Sequence, residues 1–174
     1  MSVFKIDNYY KYMLLAISVL CVAVLALDFY TNAKQIELFL MGTASGFAVL
    51  ITLYTWSIKI WTENGALCKR TLFGVKTVEM TAVDEISVIT LRGRYLFMIL
   101  TPGSFIMLST MMENFPALKD ILKNNITEKV FAGMDNIGND RIARKKTVMK
   151  LMLAGLLVSS AVILVYIYLN RIIL

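Results

Sequence analysis

The sequence predicts an α+β membrane protein. It has three transmembrane helices, a hairpin plus one, and a cytoplasmic segment of about six short antiparallel strands closed by a C-terminal helix. Three observations carry this reading. The 174 residues are 58% apolar and only 17% charged, with mean hydropathy +0.69, against about 45–50% and about 25% in soluble domains. The apolar excess is gathered into three uncharged runs, Tyr12 to Leu27, Leu38 to Ile58 and Leu151 to Leu169. Between the second and third runs, short extended stretches alternate with turn residues, a strand pattern rather than a helical one.

The middle run, at about 1.5 Å per residue, covers roughly 30 Å, the hydrocarbon thickness of a bilayer. The other two reach that length with their flanking aromatic and basic residues, which places spans at about 11–29 and 36–58 and a third within 148–174. The first run reads as an uncleaved span of a transmembrane hairpin, because Asp28-Phe29-Tyr30 is a poor processing site. Tyr9, Tyr10 and Tyr12 at one end, and Phe29 and Tyr30 at the other, suit interfacial aromatic belts. Lys5 and Lys11 precede the first span, and Arg141, Arg144, Lys145, Lys146 and Lys150 precede the third. The hairpin loop offers Lys34 against Asp28 and Glu37, and Arg171 alone opposes the trend. Basic residues stay in the cytoplasm, so the expectation is a multi-pass membrane protein with its N-terminus and central domain inside. The net charge of +6 is then a topology signal. Aromatics are not interleaved with the basic cluster, so no nucleic acid is expected as a partner.

The segment 59–126 reads as strands and turns. Lys59 to Thr62 leads into Glu63-Asn64-Gly65, where Asn-Gly tolerates positive φ. Ala66 to Leu72, Val75 to Met80, Ile86 to Leu91, Tyr95 to Leu100 and Phe105 to Leu108 follow. They are separated by Phe73-Gly74, Ala82 to Glu85, Arg92-Gly93-Arg94 and Thr101-Pro102-Gly103-Ser104. Asn114 is a candidate cap and Pro116 fits a first helical turn. Phe115, Leu118, Ile121 and Leu122 then share one face, with Lys119, Asp120 and Lys123 opposite. Residues 127–147 read as a basic linker ending in a helix that starts at Asn139-Asp140 and runs into the third span.

The run Thr62-Glu63-Asn64-Gly65-Ala66-Leu67, then Arg70, Leu72-Phe73-Gly74, Lys76 and Val83-Asp84-Glu85-Ile86, resembles the bacterial PH-like domains. In those families an n/d-G turn leads to an FG turn and a DI-like segment, and many members are tethered to transmembrane helices. Over residues 57–126 the resemblance implies a PH-like half-barrel with a terminal helix at the cytoplasmic membrane face.

Chemistry is notable for what the residue types exclude. The chain has no histidine, which removes the usual Ser-His, Cys-His and zinc-histidine arrangements. Gly42, Gly46, Gly65 and Gly74 fit neither a Walker nor a Rossmann spacing. Asp84 and Glu85 are adjacent on an extended chain and point to opposite faces. Cys21 lies in a span and Cys68 in the reducing cytoplasm, so neither a disulfide nor a metal site is expected. No enzyme activity and no cofactor follow from these residues. The first hairpin turn, Thr62 to Gly65, is acidic and does not support specific inositide binding. Lys69 and Arg70 on the next strand suit a solvated face, with lipid contact as the alternative.

Candidate sites are therefore packing and contact surfaces. Gly42 and Gly46 form a GxxxG stripe, echoed by Gly155 and Ser159, which permits close helix approach in lipid. The stripe suits packing within the chain, self-association or a partner helix. Tyr95, Phe97, Phe105 and Met107 belong to a hairpin that is apolar at odd and even positions. Its second face is covered by the domain itself, by the spans, by a second copy or by a partner. Arg141, Arg144, Lys145 and Lys146 suit anionic head groups, at about 1 kcal/mol each near a surface.

Expected partners are membrane lipids and either a second copy of the chain or another membrane protein. The expected role is a non-catalytic interaction or scaffold protein, with a subunit of a membrane assembly as one form of it. The alternative is an immunity or stress-response factor that blocks a toxin or channel; a transporter subunit ranks behind both, since the spans hold no central charge. The topology is checked by single cysteines in a cysteine-less background. An impermeant thiol reagent on intact cells should label Asn32→Cys and Asn170→Cys but not Ser2→Cys or Asn125→Cys. Labelling at position 125 without position 32 reverses the orientation.

Overall fold

The computed structural model describes residues 3–30 and 34–169; Ser2, Asn32, Asn170 and Arg171 lie outside them. The chain is α+β and divides into two compact units, Met1–Asp7 with Ser57–Met149, and Asn8–Trp56 with Lys150–Leu174. The sheet unit thus gathers more chain than residues 59–126.

In the sheet unit, strands β1 (Val3–Lys5), β2 (Lys59–Glu63), β3 (Ala66–Thr71) and β4 (Gly74–Glu79) form one antiparallel sheet in that order. Strands β5 (Glu85–Thr90), β6 (Tyr95–Thr101) and β7 (Ser104–Ser109) form a second. Six of these seven strands coincide closely with the expected ones. Turn chemistry explains the agreement. Asn64 and Gly65 both take positive φ, 49° and 76°, as a two-residue hairpin turn matched to strand twist requires. At the next turn Leu72 and Phe73 occupy the tip and Gly74, at φ 129°, opens β4 rather than sitting in the turn.

β1 was not expected. Three residues are too few to show a period, yet Val3 pairs with Trp61 and Phe4 with Ile60. Phe4 and Ile6 are buried. Beyond the strand, the Asp7 amide donates to the Met111 carbonyl at 3.0 Å and the Glu113 amide to the Lys5 carbonyl at 2.8 Å.

The core of this unit lies on the inner faces of both sheets, under helix α3 (Phe115–Asn125). Ile60, Leu67, Phe97, Ile99, Leu108, Phe115, Leu118 and Leu122 are all buried. The Phe115 ring stacks on Phe97 with centroids 5.3 Å apart, which seats α3 on β6. Each such side chain contributes roughly 1.5–3 kcal/mol when removed from water. Asn114 holds the N-cap position, but in a left-handed conformation and without a side-chain cap bond. Lys119 departs from the expected polar face: it is buried and donates to the Ile137 carbonyl at 3.2 Å. The reason is a further helix, α4 (Glu128–Asp135), where a linker was expected. Its Phe131 and Met134 are buried, and the helix lies against β5.

The second unit holds α1 (Asn8–Tyr30), α2 (Gln35–Ser57) and, from Lys150 onward, α5 (Asn139–Tyr168). All three are long and apolar enough to cross a membrane. Asp28, read from sequence as a loop charge, sits buried in the last turn of α1. The edge-on contact of Tyr12 with Trp56, centroids 6.2 Å apart, joins the start of α1 to the end of α2.

Phe97→Asp or Leu122→Asp should each cost several kcal/mol, because an unpaired carboxylate would be placed in a site with no exposure. Thermal melts of the purified chain should lose or sharply lower the sheet unit's transition. Unchanged melting in both variants contradicts the core described here.

Candidate functional site

In the helix unit, α1 and α2 are joined by small hydroxylated residues rather than by the glycine stripe. The Ser18 and Thr52 hydroxyls lie 2.7 Å apart and buried. Thr52 also donates to the Leu14 carbonyl at 3.2 Å and to its own helix at Ala48, 2.9 Å. One turn and more away, Ser45 donates to the Cys21 carbonyl at 3.0 Å. In an apolar surround a hydroxyl must find such a partner or lose its solvation without return, so these bonds hold the register of the pair. Ser45 and Thr52 are seven residues apart, which keeps them on one helix face. That spacing was legible in sequence but overshadowed by the neighbouring glycines.

Gly42 and Gly46 do not take part. Apart from the adjoining backbone of its own helix, no described atom lies within 4 Å of where a β-carbon would stand at either position, and the same holds for Gly155. Ser159 donates back to the Gly155 carbonyl, within its own helix. Of the uses open to the GxxxG stripe, close packing inside the described chain is not the one adopted. Beside the hydroxyl bonds, Leu15, Val19, Val22, Val49 and Leu53 line an apolar groove of about 260 Å³ with Ser18 and Thr52.

In the sheet unit, the four hairpin residues split between two faces. Tyr95 and Phe97 are buried; Phe105 is exposed and Met107 half-buried. Register shows why: Phe97 is opposite Leu108, whereas Met98 is opposite Met107 and Leu100 opposite Phe105. The outer apolar strip is therefore Met98, Leu100, Phe105 and Met107, because side chains alternate along each strand.

The basic quartet also divides. Arg141 and Arg144 are exposed. Lys146 donates to the Met112 carbonyl at 2.8 Å, while Lys145 donates to the Leu91 carbonyl and sits 4.6 Å from the Tyr95 ring centroid. Two of the four cations expected at lipid are thus engaged by the protein.

Lys69 is the unexpected titratable group. Its register places it on the core face, between Ile60 and Lys76, and it donates to the Met107 carbonyl at 2.6 Å across the seam from β3 to β7. Lys76 lies over the Phe105 ring at 4.6 Å. Burial, and then the Lys76 charge, hold the Lys69 ammonium below the usual lysine range. The cause is desolvation: half-buried among apolar groups, the charged form loses water that one carbonyl only partly replaces. The cysteines remain isolated, Cys68 buried and 3.6 Å from the Thr77 hydroxyl, Cys21 half-buried in α1. Among the described residues no group of His, Cys, Asp and Glu could hold a metal ion.

The Lys69 shift predicts a pH dependence of defined sign. The folded chain releases this proton at lower pH than the unfolded chain, so stability rises with pH between the folded value and the ordinary lysine range near 10.4. Below that window the desolvation cost is fully present and constant. Relative to Lys69→Met, the native chain should gain stability as pH rises from neutral toward that range in denaturant melts. A constant difference would show an unperturbed lysine. Set against protein-family models, curated proteins and solved structures, the chain matches none of them.

Proposed function

We propose that the chain is a multi-pass protein of the bacterial inner membrane that acts, without catalysis, as an interaction or scaffold protein. In this reading α1, α2 and α5 span the bilayer. The sheet unit is a PH-like half-barrel on the cytoplasmic face. The observation that carries it is that the three long helices leave their apolar side chains exposed, among them Phe39, Phe47, Leu50, Leu151 and Val158. In water such surface would be unusually large; in lipid it needs no cover. Helices of 23 residues reach about 35 Å, enough for the hydrocarbon layer with some tilt. The half-barrel reading is supported by the two antiparallel sheets with α3 across their inner face, and by the turn residues at 62–86.

The interaction role is supported by Gly42 and Gly46, which present an open small-residue face on α2. Backbones approach closely at such faces, and dispersion then drives association in lipid. A β-carbon placed at either position has no described atom from outside its own stretch of helix within 4 Å, so a larger side chain there bears chiefly on neighbours. Gly42→Ile with Gly46→Ile should leave insertion and the sheet unit's melting unchanged, yet remove the larger species that this reading expects of the native chain on sizing in mild detergent. A partner that co-purifies in fixed ratio and is lost with it identifies the scaffolded protein. Unchanged assembly size would show the stripe facing lipid and remove the basis for a helix-mediated scaffold.

A further inference from the structure

Strand register lays three rungs across the outer face of β1 to β4. The first is Lys5, Lys59, Arg70 and Val75; the second is Val3, Trp61, Cys68 and Thr77; the third is Glu63, Ala66 and Glu79. The three cations of the first rung and the two carboxylates of the third are exposed. Four residues of strand separate these rungs, about 13 Å, so the sheet is basic at one end and acidic at the other. Beyond the basic rung the β3–β4 hairpin ends in Leu72 and Phe73, which are 50% and 87% exposed, with Val75 beside them at 57%. A soluble hairpin tip would carry polar turn residues here. Thr71 shapes the turn by accepting the Phe73 amide at 3.3 Å.

Connectivity says which helices this end is joined to. Lys5 stands three residues before the first residue of α1, and Lys59 two residues after the last of α2. Two or three residues of chain reach at most about 11 Å. The basic rung is therefore the end of the sheet from which the chain enters both apolar helices, and the apolar tip projects past it.

We propose that the β3–β4 tip dips into an anionic lipid surface. Leu72 and Phe73 reach the acyl boundary and Lys5, Lys59 and Arg70 lie among the phosphates with Val75 beside them, while Glu63 and Glu79 face away. This rests on the reading that α1 and α2 span a bilayer. At the tip itself charge complementarity selects lipid over a second copy, because two copies meeting tip to tip would bring basic rung to basic rung; each cation near an anionic surface favours the docked position about fivefold.

The test uses the full chain carrying Trp56→Phe, Trp61→Phe and Phe73→Trp, reconstituted in phosphatidylglycerol nanodiscs. The indole at position 73 should emit to the blue and be quenched by lipids brominated on the acyl chains. Adding Lys59→Glu and Arg70→Glu, or changing to phosphatidylcholine, should reduce the quenching several-fold. A parallel chain with Leu50→Trp instead of Phe73→Trp reports on the spans. Quenching at position 50 with iodide-accessible emission at position 73 overturns the dipping hairpin and leaves the spans standing. Blue emission at 73 without bromine quenching shows cover by protein, a second copy included, and overturns it too. No bromine quenching at either position removes the spanning reading and this proposal together.

Discussion

The ladder of β1 on β2 binds the stretch of chain before the helical hairpin to the stretch after it. Val3 to Lys5 lie opposite Trp61 to Lys59, so the residues that enter α1 and those that leave α2 are neighbours in one sheet. Other features depend on this pairing. It closes the inner face of the first sheet with Phe4 over Ile60, and it carries Ile6 to Met112 and Asp7 to Met111, at the loop that feeds α3. It also lines up the cations of Lys5, Lys59 and Arg70, which are scattered in sequence.

A second regularity is the use of backbone carbonyls by buried and half-buried lysines. Lys69, Lys119, Lys145 and Lys146 each donate to a backbone carbonyl, of Met107, Ile137, Leu91 and Met112 respectively. A carbonyl partner answers part of the hydrogen-bonding need of an ammonium drawn out of water. Each of these bonds crosses between elements distant in sequence, so the lysines stitch strands, loops and helix ends together. The hydroxyl pair Ser18 and Thr52 follows the same logic inside an apolar surround. Among the described residues, no buried side-chain nitrogen or oxygen lacks a hydrogen-bond partner.

The small-residue positions show how the two kinds of packing signal differ. Glycines permit close approach but do not demand it, since an open face on glycine costs nothing in lipid. A serine or threonine in an apolar helix has a polar group to satisfy and therefore selects its neighbour. Ser45 and Thr52, rather than Gly42 and Gly46, thus set the α1–α2 contact. The stripe is left available.

By itself the sequence determined the long helices and six of the seven strands. Uncharged runs of sufficient length have one economical conformation, and Asn64-Gly65 imposes a turn wherever it stands. Which face each strand buries was not legible from alternation: Lys69 reads as solvated beside Arg70, and Tyr95 and Phe97 group with Phe105 and Met107 because the apolar content of that hairpin hides the period. Tertiary structure alone decided the rest. β1 and α4 are too short to announce themselves, and they exist because Phe4, Ile6, Phe131 and Met134 find a core to enter. Lys119 lies inward because α4 and Ile137 cover what would otherwise be a solvated helix face. The rung of Lys5, Lys59 and Arg70 arises from register between strands far apart in the chain. Local pattern cannot encode that, because pairing is selected by burial on the opposite face.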